Sequence, residues 1–130
     1  MNLLEVTDLW IAYDRINAVR GVSFYVGEGE IVTLIGANGA GKSTILRAIS
    51  GLLPVARGSI SFAGADLLRL PAHLRAQQGI AHVPEGRGIF GNLTVLENLR
   101  LAAYARIDAQ ISQDLEEVFL LFMILPVLFR

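Results

Sequence analysis

The sequence predicts an α/β fold, with helices around a mostly parallel sheet and a separate antiparallel layer built from the N-terminal strands. Three observations carry this expectation. From residue 31 onward, short strand patterns alternate with helical ones. The run Ile31-Val-Thr-Leu-Ile35 is a continuous β-branched and apolar segment preceded by glycines and followed by one, the pattern of a strand covered on both faces. Finally, hydrophobic residues make up 53% of the 130 residues and charged residues 18%, which supplies a core and excludes intrinsic disorder.

In chain order, residues 4–11 alternate loosely and residues 19–26 alternate well, so both read as strands of the N-terminal layer. Gly27-Glu-Gly29 makes a turn into the buried strand 31–35. A glycine-rich loop follows, then a helix over 43–53, weakened in its last turn by Gly51 and stopped by Pro54. Residues 59–62 form a short strand, 71–78 a short helix with proline in its first turn, and 80–84 a further strand ended by Pro84. Gly86, Gly88 and Gly91 loosen the next loop. Thr94 and Glu97 have the T-x-x-E spacing of a capping box, opening a helix that turns Leu96, Leu99 and Ala103 inward. The last helix sets Ile111, Leu115, Val118, Phe119 and Phe122 on one face.

Composition also narrows the chemistry. Eleven Lys and Arg against twelve Asp and Glu leave a net charge of -1, where a nucleic-acid binder carries a basic excess, so no nucleic-acid partner is expected. There are no cysteines, which excludes disulfides, thiolate zinc sites and a cysteine nucleophile. The opening MNLLEVTDLW has no Lys or Arg, and the apolar run 118–129 is interrupted by Pro126 and falls short of the ~20 residues that span a bilayer. A cytoplasmic chain is expected. A mean hydropathy of +0.51 is high for a freely soluble monomer and predicts apolar surface that meets a partner.

The chemistry concentrates in Gly36-Ala37-Asn38-Gly39-Ala40-Gly41-Lys42-Ser43, which fits the phosphate-loop pattern G-x-x-x-x-G-K-[ST] throughout. Glycines admit positive φ and let successive backbone N–H groups curl into an anion-binding nest. The nest lies at the head of a helix, where orphan N–H groups and the helix dipole favour negative charge. Lys42 is expected to reach the β- and γ-phosphates of ATP, and the Ser43 hydroxyl to hold Mg²⁺, with Thr44 as a second hydroxyl. A glycine-rich turn between strand and helix is the plainer alternative. The buried strand before the motif and the helix after it supply the context that nucleotide binding demands.

Leu4-Glu-Val-Thr-Asp-Leu9, Tyr13, Val22-Ser-Phe24, Gly27-Glu-Gly-Glu-Ile31, the phosphate loop, Gly58-Ser-Ile-Ser-Phe62 and Leu93-Thr-Val-Leu-Glu-Asn-Leu99 resemble, in order and spacing, the ATP-binding subunit of ABC transporters. Ile80-Ala-His-Val-Pro-Glu-Gly-Arg-Gly-Ile-Phe90 is similar to the group that powers branched-chain amino acid importers, in which V-P-E-G-R replaces a glutamine-bearing loop. The resemblance covers residues 2–122. It implies a P-loop NTPase-type sheet, with residues 1–130 the N-terminal part of the domain, truncated before the later strands. Residues 36–43 are then the phosphate loop, 82–88 a Q-loop-like segment, and 119–130 an atypical apolar tail.

The same resemblance implies roles for single residues. Tyr13 falls where the family stacks an aromatic on adenine; strand-end packing is the alternative. Glu85 falls where the family has a glutamine that senses Mg²⁺ or the attacking water; a solvated loop carboxylate is the alternative. Arg87 reads as a solvated loop arginine, and His73 and His82 receive no role. Implied partners are the membrane permease subunits of an importer and a second ATP-binding subunit, assembled at the inner face of the plasma membrane. The Walker B aspartate, catalytic glutamate, switch histidine and L-S-G-G-Q signature that the family uses for hydrolysis do not occur in these residues. Two other readings stay open: a nucleotide-binding fragment or pseudogene product that does not hydrolyse ATP, and an ABC ATPase for a different cargo.

Overall fold

A computed structural model describes residues 2–86, 88–106 and 108–128, the last five of them as backbone alone. The chain divides into two compact units, Met1–His82 and Val83–Arg130.

The first unit is built on a hairpin. Strands β1 (Asn2–Tyr13) and β2 (Ile16–Gly27) pair antiparallel, with Tyr13 opposite Ile16 across a turn in which Asp14 takes φ 51. Aspartate tolerates this left-handed conformation because its short polar side chain bonds locally. Strand β3 (Arg57–Phe62) pairs antiparallel with the other edge of β1, and the short β4 (Ala65–Asp66) folds back on β3, giving the order β2-β1-β3-β4. This is the antiparallel layer expected from the N-terminal alternation.

One face of that layer buries Val6, Leu9, Ile11, Val19 and Ile60. Helix α1 (Lys42–Ile49) supplies Ile45, Ala48 and Ile49 to the same core, at the i, i+3, i+4 spacing that lines one helix face. A 3-10 turn at Leu67–Arg69 adds the fully buried Leu67, and helix α2 (Ala72–Gln77) follows, with Pro71 at its N-cap position.

Strand β1 is interrupted at Asp8, which adopts φ 46 where the register of both pairings shifts. The bulge is held on every side. Asp8 N–H donates to Ser23 Oγ at 2.8 Å, Trp10 Nε1 donates to Asp8 Oδ1 at 2.8 Å, and Arg57 meets Asp8 Oδ2 at 2.9 Å. The neighbouring strands present glycines to it. A Cβ on Gly58 would stand 2.4 Å from the Asp8 carbonyl oxygen, and one on Gly21 would stand 3.1 Å from Asp8 Oδ1.

Helix α1 is shorter than the expected 43–53. Gly51 takes φ 79 and its N–H donates to Ala48 O, while Leu52 N–H donates to Arg47 O at 2.8 Å. These crossed bonds form a Schellman motif, so Gly51 ends the helix where it was expected only to weaken it.

The larger departure concerns the parallel strands. Segments 31–35 and 80–84, expected as strands, have no ladder pairing among the described residues. Ile31 is 96% exposed, Ile35 92% and Val83 89%. The physical reason lies in their composition: a strand apolar on both faces needs flanking strands for its N–H and C=O groups and a layer on each side for its side chains.

In the second unit, helix α3 (Val95–Ala102) opens on the expected capping box. The Thr94 hydroxyl oxygen accepts from Glu97 N–H at 3.2 Å, and Glu97 Oε2 accepts from Thr94 N–H at 2.8 Å. Helix α4 (Ile111–Leu128) follows. Arg106, in the connection, donates to both Asp108 oxygens and to Asp114. The expected inward faces are only partly covered. Leu99, Ala103, Ile111, Leu115 and Val118 are half-buried, whereas Leu96, Phe119 and Phe122 are exposed. Two helices without a third layer cannot enclose both stripes.

Candidate nucleotide site

The phosphate loop leads directly into α1. Its backbone follows the conformations that glycine permits: Gly39 takes φ 85 and Gly41 φ 94, and Ala40 N–H closes a turn onto Ala37 O at 3.0 Å. Gly41 is the N-cap of α1, and a Cβ there would stand 2.8 Å from Ala18 O and 2.9 Å from Val19 Cγ2 of β2. Glycine is therefore required twice over at this position, by its φ and by its closeness to a strand backbone.

The head of α1 is prepared for an anion. No side chain caps it, and no acidic residue lies in its first turn. The positive end of the helix dipole lies at this head and favours negative charge. The Lys42 ammonium arches back across the loop, donating to Gly36 O at 2.6 Å and Ala37 O at 2.8 Å. The ammonium is thereby held against the carbonyls that open the loop. This arrangement suits the oxygens of a di- or triphosphate.

Ser43 and Thr44 stand in the first turn of the same helix. Tyr13 is the last residue of β1, 43% exposed, and its cross-strand partner Ile16 is two residues from Ala18, against which Gly41 packs. Two residues of strand span about 6.6 Å. The first unit thus brings Tyr13 and residues 36–44 to the same end of the hairpin. Glu85 is an exposed residue of the second unit. Arg87 lies outside the described residues.

Sequence patterns did not reveal Arg75. It is buried, with only 6% of its surface exposed, and it closes the opposite end of α1. Its Nη1 donates to Ala48 O at 2.7 Å and Ile49 O at 2.9 Å, and its Nε donates to Leu70 O at 2.8 Å. Burial pulls the guanidinium below its ordinary value, with Asp66 opposing that shift. It stays charged at any physiological pH. Its partners in α1 lie far away in sequence, so no local spacing announces the contact.

Known proteins resemble this chain in sequence and in fold. The ABC transporter family model matches residues 19–124. A high-affinity branched-chain amino acid transport ATP-binding protein of Pseudomonas aeruginosa is 47% identical over 104 residues, covering 78% of this chain and 45% of that protein. A lipopolysaccharide export system ATP-binding protein of Haemophilus influenzae is 39% identical over 117 residues, covering 90% of this chain and 48% of that one. Among solved structures, an ATP-binding subunit of an ABC transporter is 44% identical, with a TM-score of 0.73 over 82% of this chain and 44% of that chain. The chain spans about half the length of the curated relatives it matches. That structural likeness puts the antiparallel layer and its helices in the α/β class of ABC ATPase domains.

Proposed function

Because the chain belongs to the ABC transporter family, we propose that it is the N-terminal part of an ATP-binding subunit that energises an importer, with branched-chain amino acids as the cargo. The observation that carries the proposal is the phosphate loop at the uncapped head of α1, with Lys42 arched over it. In this reading the N–H groups of residues 39–44 and the Lys42 ammonium bind the phosphates of ATP, and Tyr13 stacks on the adenine. Ser43 offers a hydroxyl oxygen, a donor that suits Mg²⁺, and the bound ion would neutralise phosphate charge.

The cargo rests on the Pseudomonas relative and on the V-P-E-G-R segment around Glu85. The lipopolysaccharide exporter relative supports a second reading, the same ATPase for another cargo. A membrane subunit is the proposed partner. A groove of about 460 Å³ in the second unit, lined by Ile89, Phe90, Leu93, Leu99, Phe119 and Phe122, offers it apolar surface. No helix among the described residues is long and apolar enough to cross a membrane. A second ATP-binding subunit completes the proposed assembly.

Calorimetry with ATP and Mg²⁺ tests the site. Lys42→Ala should weaken binding by roughly 1.5–3 kcal/mol, the range for a lost hydrogen bond to a charged group. Equal affinity in the parent and the variant would remove Lys42 from the site.

A further inference from the structure

We propose that Arg75 is a positioning residue for the phosphate loop, acting through α1 from the end opposite the nucleotide. The inference rests on the nucleotide-binding reading of residues 36–44.

Arg75 is the one charged side chain that is buried among the described residues. Burying a guanidinium costs free energy that hydrogen bonds offset, and here three of its five N–H groups donate to backbone carbonyls. Two of them go to Ala48 and Ile49, in the last turn of α1, where the helix dipole is negative and Ala48 O also accepts from Gly51 N–H. The third goes to Leu70, which precedes α2. Arg75 thereby fastens the C-terminal end of α1 to the segment that carries α2.

The lever is short. Helix α1 has 8 residues and so is about 12 Å long, and it behaves as a rigid rod on that scale. Its head is located by Gly41 against Ala18 and Val19, and its tail by Arg75. Releasing the tail lets the rod pivot about Gly41, which turns the leading N–H groups and Lys42 away from one phosphate geometry. The clamp tolerates little slack, since a Cβ on Gly51 would already stand 3.0 Å from Arg75 Nε and from Ala72 Cα. Backbone coupling extends onward too, because Ile80 N–H donates to Arg75 O at 3.4 Å.

The experiment compares the parent with Arg75→Met and Arg75→Lys. Each is checked for folding by circular dichroism, then followed by amide hydrogen exchange without nucleotide and by calorimetry with MgATP. We expect Arg75→Met to speed exchange at residues 45–49 at least tenfold while Val6 and Ile60 keep parental rates. ATP affinity should fall at least fivefold, and Arg75→Lys, which restores a charged donor, should recover part of both losses. Uniformly faster exchange with unchanged affinity would reduce Arg75 to a general packing residue and overturn the proposal. If Arg75→Met does not fold, Arg75→Lys decides: parental exchange at 45–49 overturns the inference, and selective acceleration there supports it. A parent that fails to bind ATP sinks the nucleotide reading, while the exchange comparison still decides whether Arg75 holds α1.

Discussion

At the scale of single residues, the site depends on side chains that are small, absent or bent back on the backbone. Tyr13 is the exception, an aromatic at a strand end. If it stacks on adenine, Tyr13→Ala should cost about 1–3 kcal/mol of ATP affinity and Tyr13→Phe little, since stacking uses the ring face. Calorimetry that finds the alanine variant as tight as the parent would return Tyr13 to strand packing. Gly58 makes a separate claim about stability. Its φ of 104 and the approach of Asp8 O to 2.4 Å from a Cβ combine conformational strain with overlap. Gly58→Ala should therefore lose at least about 2 kcal/mol. Gly64, at φ 81 with nothing within 4 Å, isolates the conformational part alone. Urea unfolding should show a larger loss for Gly58→Ala than for Gly64→Ala, and equal losses would remove the close approach from the account.

At the scale of elements, what was legible in sequence was local. The capping box of α3 is written in Thr94 and Glu97, and both reciprocal bonds are formed. The phosphate loop announced its own helix, and the alternation of residues 19–26 announced β2. The bulge at Asp8 and the Arg75 clamp were not legible, because each joins residues from separate elements. The strands 31–35 and 80–84 were read from their composition, yet composition cannot supply the neighbours that make a ladder. The α3 cap also yields a pH dependence. The Thr94 N–H and then the Thr94 hydroxyl hold the Glu97 carboxyl below its ordinary value. The folded chain therefore binds this proton less readily than the unfolded one. The cap's contribution is present above the ordinary value of about 4.3 and is lost as pH falls through the lower folded value. Thr94→Ala should cost about 1 kcal/mol near neutrality and flatten this acid response. Urea titrations from pH 7 to 3 with identical acid slopes in both chains would contradict the assignment.

At the scale of the whole molecule, the exposed apolar segments matter most. Ile31, Ile35 and Val83 present apolar side chains on segments without ladder pairing among the described residues. The 130 residues expressed alone should bind a hydrophobic dye and self-associate, and a chain extended to the length of the relatives should do neither. The same comparison tests catalysis. A cradle for phosphates is only part of the apparatus of phosphoryl transfer, which also needs groups to complete the metal shell and orient water. Steady phosphate release is therefore expected from the extended chain and not from the 130 residues. Release by the shorter chain that disappears with Lys42→Ala would overturn this expectation.

The order of strands in the sheet has a consequence for how the site comes into being. β1 and β2 are neighbours in sequence, and a hairpin of that kind closes in about 1–10 μs. β3 must reach the far edge of β1 by closing residues 28–56 as one long loop, and that loop contains the whole phosphate-binding segment. Loop-closure entropy makes this the slower step. During synthesis, the hairpin can zip while the phosphate loop is still tethered at one end only. The loop of residues 28–56, with the phosphate-loop segment inside it, is thus fixed at both ends only when β3 docks.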